Sequence, residues 1–370
     1  MTWNFDAKPI LVFWETTKAC DLACHHCRAE AIPESLPGEL TTQGGKSLID
    51  QIEAFGRPYP ILILTGGDPL KRSDLFELIS YARTKGIQVS VAPSATPLLT
   101  PDVLLKMADH GVDGISLSLD GATVQSHDDL RGVPGTFTRT LAMAQFAVNA
   151  GLKVQINTTV MEHNVEELPA IFQVVKSIPA HVWEVFFLIQ TGRGSQLNEL
   201  TPSVSESVCH FLYQSAHYGV TVRTVEGPYF RRIVRQYEEQ LPVELDPLAQ
   251  RLNKDLLTRL GEPTHSPLAR SAGTRDGKGI VFISYRGDVS PSGFLPVVAD
   301  NLGNQSLPDI YAKNPLFVEL RDTTSFKGRC GICEYAQICG GSRARAYART
   351  NDVMEEDPNC VFELGSVPLN

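Results

Sequence analysis

The residues most able to do chemistry here are cysteines, and they are placed unevenly. Cys20, Cys24 and Cys27 form one group, Cys330, Cys333, Cys339 and Cys360 another, and Cys209 stands alone. Soft thiolates gathered in this way point to metal binding. The stretch Met1–Lys8 is short and polar, with no apolar core of a secretory signal. A reducing, cytoplasmic location is therefore expected, and there eight cysteines do not serve as a disulfide framework.

The first group reads Cys20-Asp-Leu-Ala-Cys24-His-His-Cys27, a C-x3-C-x2-C spacing on a loop that directly follows an apolar, β-rich run. A structural zinc site takes four protein ligands. An iron–sulfur cube held by three thiolates leaves one iron open to an exogenous ligand. Zinc completed by His25 or His26, or unliganded core cysteines, is the alternative at this point. The second group, Cys330-x2-Cys333-x5-Cys339 followed by Cys360, offers four thiolates, enough for structural zinc or for a fully ligated iron–sulfur cluster. Three further features lie at the carboxyl ends of expected strands: Thr65-Gly66-Gly67-Asp68-Pro69, Ser118-Leu119-Asp120-Gly121 and Asn157-Thr158-Thr159. Glycines allow close backbone approach, and a carboxylate can hold an ammonium group. Each is weak alone. Their joint placement on one rim, where parallel αβ barrels bind ligands, is the informative part.

The elements that must position these residues alternate through the first two thirds of the chain. Strands are expected over Pro9–Thr16, Tyr59–Thr65 (buried on both faces), Ile87–Ala92, Gly114–Leu119, Leu152–Val160 and Val182–Ile189. Helices are expected over Thr41–Phe55, Arg72–Lys85, Thr100–His110, Gly135–Ala150, Val165–Ile178 and Pro202–Tyr218. Repeated strand–helix units imply a parallel sheet. Six are too few for a closed barrel, so an α/β fold built as a partial (β/α)6 TIM-like barrel is expected, with a small C-terminal cysteine-bearing domain. Pro242–Thr274, rich in proline, shows no period, and Gly279–Tyr285 with Asp288–Ser290 reads as a hairpin about Arg286-Gly287. The expected domains are residues 1–222, an irregular connection 223–276, and residues 277–370.

Composition narrows the function. The 33 basic and 42 acidic residues give a net charge of −9, with 42% hydrophobic residues. That excludes a disordered chain and disfavours a nucleic-acid binder, which needs phosphate-neutralising cations. No apolar run reaches membrane-spanning length, so neither nucleic acid nor membrane is expected as a partner.

The cysteine loop, the Gly-Gly-Asp-Pro turn and the Ser-Leu-Asp-Gly strand end, in that order, resemble the radical S-adenosylmethionine (SAM) superfamily, and the C-terminal cysteines resemble its SPASM/twitch branch. The resemblance spans nearly the whole chain. It implies that Cys20, Cys24 and Cys27 hold a [4Fe–4S] cluster whose open iron is chelated by SAM. It implies that the backbone at His26 contacts the adenine. Gly66, Gly67, Asp68 and Pro69 would hold the methionine amino group, with Asp68 where the family usually has Glu. Ser118 and Asp120 would lie near the ribose or the methionine carboxylate, Asn157 would join the SAM-binding set, and Arg131 and Arg139 are candidate carboxylate partners. Reductive cleavage of SAM to a 5′-deoxyadenosyl radical, then hydrogen abstraction from a substrate, is the implied reaction, with flavodoxin or ferredoxin as electron donor. Cys330, Cys333, Cys339 and Cys360 would hold a second, auxiliary [4Fe–4S] cluster. Ser292 and Ser342 stand where fuller SPASM domains place cysteines, so one auxiliary cluster is expected.

Gly340–Tyr347 and Phe294–Pro296 are most similar to the tetrapyrrole-tailoring group of haem and haem d1 biosynthesis, whose members oxidise or remove propionate side chains. Arg193, Arg343, Arg345 and Arg349 are then candidates for substrate carboxylates, against solvated helix faces for the last three. Two other readings stand beside this one. A maturase of ribosomally made peptides usually carries an N-terminal leader-gripping domain, and only about 15 residues precede the end of the first strand here. A non-catalytic iron–sulfur electron carrier would not need the glycine and aspartate rim. Cys209 sits in a plain helical context and reads as core or surface.

Overall fold

A computed structural model describes residues 3–269 and 273–365. Its framework is one ten-stranded sheet. Seven strands follow each other in sequence order and pair in parallel: β1 (Leu11–Glu15), β2 (Ile61–Thr65), β3 (Val89–Val91), β4 (Gly114–Ser118), β5 (Lys153–Val160), β6 (Val182–Phe187) and β7 (Thr221–Val225). β8 (Ile280–Ile283) returns to the opposite edge and pairs in parallel with β1, so that Leu11 faces Ile280 and Trp14 faces Ile283. The expected hairpin follows as β9 (Asp288–Ser290), antiparallel to β8, and β10 (Asp300–Asn301) completes that edge. The hairpin thus extends the main sheet. β7 and β10 do not pair, which leaves an open barrel.

Helices α1 (Thr42–Glu53), α2 (Leu75–Thr84), α3 (Pro101–Asp109), α4 (Val124–Arg131), α5 (Thr136–Asn149), α6 (Leu168–Ser177) and α7 (Pro202–Ser215) fill the crossovers. Their starts are written locally. Thr41, Thr100 and Thr201 accept hydrogen bonds from backbone N–H groups of the first turn, and Pro101 and Pro202 sit at the first helical position. The apolar core lies between these helices and the outward faces of the strands, with Trp14, Leu62, Leu64, Val154, Ile156, Trp183 and Val185 fully buried. The indole of Trp183 donates from Nε1 to Thr158 Oγ1 at 2.9 Å.

Three expectations change. β2 is not buried on both faces: Leu62 and Leu64 are buried, while Ile61, Ile63 and Thr65 face an internal cavity. The run is apolar throughout because the cavity wall is apolar there. The stretch expected to be irregular holds α8 (Phe230–Glu238) and α9 (Pro247–Leu260). Pro247 opens α9 behind its N-cap Asp246 instead of breaking a helix. Ala249, Leu252 and Leu256 are buried at helical spacing, and each leucine contributes about 1.5–3 kcal/mol of burial. β7 and α4 are additions to the expected elements. α4 is polar, but Thr123 and Ser126 form its capping box and Gly132 ends it in the left-handed region, signals that are present in the sequence. Four short helices close the described chain: α10 (Leu307–Lys313), α11 (Pro315–Arg321), α12 (Gly328–Ile332) and α13 (Arg343–Thr350).

Candidate active site

The inward faces of the strands enclose a cavity of about 1050 Å3. Strand alternation decides its lining. Phe13, Ile61, Ile63 and Phe282 make an apolar wall, and Gln155, Asn157, Glu184 and Arg223 make a polar one. Gln155 Nε2 bridges Asn157 Oδ1 and Glu184 Oε2, both at 2.8 Å. Burial pushes the Glu184 carboxyl above its usual range, opposed by Arg223.

Cys20, Cys24 and Cys27 all line this cavity, on the loop after β1. Cys20 and Cys24 are buried with Leu22, Ala31 and Val133 around them. Each sulfur has a donor: Leu22 N to Cys20 at 3.4 Å, Ala31 N to Cys27 at 3.5 Å, and Arg131 Nη1 to Cys24 at 3.7 Å. Burial pushes the Cys20 and Cys24 thiols up, with Arg131 opposing it at Cys24. The loop is fastened from two sides. The end of α4 accepts Ala23 N and His25 N through the carbonyls of Arg131 and Leu130. The Gly66-Gly67 turn receives it on the other side, with Gly67 N donating to Thr17 O at 2.8 Å and Asp68 N to Ala19 O at 2.7 Å. A Cβ on Gly66 would lie 2.4 Å from Thr17 O, and one on Gly67 2.4 Å from Ala19 O. These glycines are therefore required by the approach of the cysteine loop itself, although both also line the cavity.

The remaining expected residues divide. His26, Ser118, Asn157, Arg131 and Arg193 line the cavity. Asp68 and Pro69 do not, because the Asp68 carboxylate is fully buried as a cap. It accepts from Leu70 N at 3.2 Å, Ser94 N at 3.3 Å and Thr96 Oγ1 at 2.9 Å. An ammonium partner would have to displace these. Asp120 is likewise fully buried behind the rim, paired with Arg131, accepting from Thr159 N at 2.7 Å and facing His26 Nε2 at 3.5 Å. Burial works against its charge, but Arg131, His26 and His127 outweigh it, and the carboxyl is held below its usual range. Arg139 is half-buried outside the cavity lining and donates to Ala95 O at 3.3 Å. Arg193 is held by Cys24 O and Ala31 O at 2.8 and 2.9 Å, so it braces the loop. Cys209 is buried core in α7.

The second group also comes together. Cys330, Cys333, Cys339 and Cys360 line one small cavity of about 30 Å3 with Tyr229, Asp357 and Phe362. Asp357 N and Arg343 Nη2 donate to Cys330 Sγ at 3.4 and 3.5 Å, and Tyr335 N to Cys333 Sγ at 3.4 Å. Burial pushes the Cys339 and Cys360 thiols to about 12 and about 11. Arg343 and Arg345 are not on a solvated face: both are buried, and neither lines the large cavity. Arg345 pairs with Glu199 at 3.1 Å and Asp357 at 3.5 Å. Arg349 reaches Glu199 at 3.6 Å from a half-exposed position. Ser342 caps α13 and Ser292 lines the large cavity, its hydroxyl accepting from Phe294 N and Leu295 N. Gly341 lines both cavities, so the two cysteine sites adjoin one space.

Among the described residues, no three His, Cys, Asp or Glu side chains converge as ligands of a single ion would. His25 is exposed and outside the cavity lining, so it does not complete a zinc set. A four-iron cube holds its cysteines farther apart than one ion does. The cavity supplies room for it, and the adjoining His26 Nδ1, Arg131 Nε and Arg193 Nη2 are buried without partners. The donor set thus fits a cluster carrying a polar ligand. Sequence reasoning misses Arg28, whose guanidinium lies over Phe282 at 4.7 Å and 3.7 Å from Glu15, and the cavity residues Glu184, Arg223, Glu226, Arg231, Arg275 and Asp276. Glu184 has a signal, a lone charge within an apolar strand.

A model of the radical SAM superfamily matches residues 14–175. The chain is 39% identical over 358 residues to the AdoMet-dependent heme synthase of Methanosarcina barkeri, covering 96% of this chain and 97% of that protein. It is 28% identical over 383 residues to the Fe-coproporphyrin III synthase of the same organism, covering 97% of this chain and 89% of that protein. Streptococcus suis SuiB, solved with its precursor peptide SuiA, has a TM-score of 0.69 at 16% identity, covering 96% of this chain and 76% of that one.

Proposed function

The chain belongs to the radical SAM superfamily and is a radical SAM enzyme, and we propose that its substrate is a tetrapyrrole bearing propionate side chains, one or more of which it oxidatively decarboxylates or removes. The observation that carries this reading is the single amphipathic cavity adjoining both cysteine sites. Its volume of about 1050 Å3 exceeds the upper end, about 1,000 Å3, of the range usual for one drug-sized ligand. Its apolar wall and its charged lining residues suit a large, largely apolar partner that carries carboxylates. The relatives' names, heme synthase and Fe-coproporphyrin III synthase, support the same class.

Cys20, Cys24 and Cys27 would hold a [4Fe–4S] cluster, which together with SAM would supply hydrogen-abstracting radical chemistry. The protein's own part is positioning. Gly66, Gly67 and the α4 end fix the cysteine loop. Asp120 holds Arg131 against Cys24, which would keep a cation beside a cluster held there. The apolar wall of Phe13, Ile63 and Phe282 excludes water from a reactive radical. His26, Ser118 and Asn157 present polar atoms to the nucleoside. Cys330, Cys333, Cys339 and Cys360 would hold a second [4Fe–4S] cluster able to supply electron relay, with N–H donors and Arg343 placed to stabilise its charge. The seven parallel strands through Val225 would then form the SAM-cleaving part, while residues 277–370 add β8–β10 to its sheet and carry the auxiliary site. A one-electron donor of the flavodoxin or ferredoxin type and a cytoplasmic location accompany this reading. Among the described residues no helix is long and apolar enough to cross a membrane.

The test is spectroscopic. Iron-coproporphyrin mixed with anaerobically reconstituted protein should show a saturable shift of its Soret band. An unchanged band at saturating protein contradicts the tetrapyrrole class.

A further inference from the structure

The end of the large cavity beside the second cysteine site carries two consecutive side chains that the reading above does not use. Arg275 and Asp276 are 5% and 4% exposed, and both line the cavity. Arg275 donates only to main-chain carbonyls, Gln337 O at 3.5 Å and Arg321 O at 3.3 Å, and stacks on Phe326 at 5.3 Å. Its Nε has no partner. Asp276 accepts from Ala344 N at 3.1 Å through Oδ2, the Ser292 hydroxyl also acts on its carboxyl, and its Oδ1 makes no hydrogen bond. Arg231, on the same lining, donates to Ile338 O at 3.2 Å and to Thr274 O. Neither guanidinium makes an ion pair among the described residues. A buried cation, Arg275, and a half-buried one, Arg231, thus share one wall with only neutral acceptors, and a buried donor and a buried acceptor stand unmatched on adjacent residues.

Buried polar groups in native proteins find partners, and an orphaned one asks for a ligand. Burial, reinforced by the charges of Arg231 and Arg343, pulls Arg275 down to about 10. Burial also pushes the Asp276 carboxyl up, and it pushes the neighbouring Glu226 to about 8 with Asp276 adding to it. Burial thus opposes charge on the cation and on the carboxyls of this wall alike. Glu226 sits at φ +57°, a strained backbone of the kind found at functional sites, and its side chain is tied to Ser342.

We propose that Arg275, Asp276 and Arg231 form a subsite for a carboxylate of the substrate, anchoring it against the second cysteine site. Arg275 Nε donates to one carboxylate oxygen, the open Oδ1 of Asp276 shares a single proton with the other, and Arg231 supplies the second positive charge. This deepens the tetrapyrrole reading and rests on it for the identity of the substrate, but not for the chemistry of the subsite.

The experiment compares two probes on the iron-loaded protein, iron-coproporphyrin and its fully esterified methyl ester, each titrated by its Soret band. Arg275→Gln should weaken the acid about 10- to 100-fold, the loss of a charge-assisted hydrogen bond, and leave the ester as in the wild type. Equal binding of the acid by variant and wild type overturns the subsite. Iron content reports whether the second cysteine site survives the substitution. If Arg275→Gln lowers it, half-buried Arg231→Gln takes its place in the same titrations, where weaker binding of the acid alone supports the subsite and equal binding overturns it. A wild type that binds neither porphyrin defeats the tetrapyrrole reading alone. Carboxyl-13C propionate then decides the subsite: broadening of its resonance by wild type that is lost in Arg275→Gln and Asp276→Asn supports it, and broadening equal in all three, or absent from the wild type, overturns it.

Discussion

Replacing Asp120 with Asn should unsettle the SAM end of the cavity through a pair that touches the cysteine loop. Asp120 and Arg131 have side chains 0% and 12% exposed. The carboxylate also takes Thr159 N at 2.7 Å, and Arg131 reaches Cys24 Sγ at 3.7 Å. Asn keeps the shape and removes the charge, leaving the Arg131 cation buried without its counterion. Removing one partner of a buried pair costs about 3–5 kcal/mol, a large part of the roughly 5–15 kcal/mol by which domains are stable. Urea unfolding of the iron-loaded protein, followed by tryptophan fluorescence, should show a loss of that size. The double variant Asp120→Asn with Arg131→Met should recover most of it, because no buried charge remains. A loss below about 1 kcal/mol for the single variant, the size seen for solvated pairs, would refute the reasoning, since it would mean that water reaches Arg131.

Other consequences can be checked separately. Alanine at Cys20, Cys24 and Cys27 together should remove one cluster's iron and leave the second site loaded; iron falling to zero would show that the sites are not independent. Gly67→Ala places a methyl 2.4 Å from Ala19 O, so the loop must move, and SAM binding by equilibrium dialysis should fall at least about tenfold; wild-type binding would show the loop to be pliable. His127 is buried, with Nδ1 accepting Asp120 N at 3.1 Å, and burial followed by Arg131 lowers its pKa from 6.5 to about 4. The folded form therefore resists a proton that the unfolded chain accepts below pH 6.5. Stability should fall as pH drops from 6.5 toward 4, by up to about 3 kcal/mol from this group. His127→Gln should flatten that slope, and an unaltered slope would remove His127 as its source.

The strand–helix alternation is legible in the sequence because inward and outward faces repeat with period two in the strands and 3.6 in the helices. The pattern misleads at β2, where an apolar cavity wall looks the same as a buried face, and at α9, where Pro247 starts a helix that composition alone reads as broken. The cysteine groups are legible because ligand spacing on a loop is local. The roles around them are less so. Asp68 looks like an open carboxylate until Ser94 and Thr96, from a different loop, are seen to occupy it. Arg343 and Arg345 look solvated in a short stretch that holds three arginines, and only the packing of Glu199, Asp357 and Phe326 around them shows otherwise. Arg275 and Asp276 have no local signature, since their meaning lies in atoms left unmatched by the rest of the chain.

The most direct measurement is 5′-deoxyadenosine formation by the anaerobically reconstituted protein with SAM, a strong reductant and iron-coproporphyrin, read by mass spectrometry together with the mass of the porphyrin. The expected products are 5′-deoxyadenosine and a porphyrin lighter by lost carboxyl carbon, both abolished by alanine at Cys20, Cys24 and Cys27. Iron-loaded protein that binds SAM and the porphyrin yet yields neither product would contradict the proposed reaction.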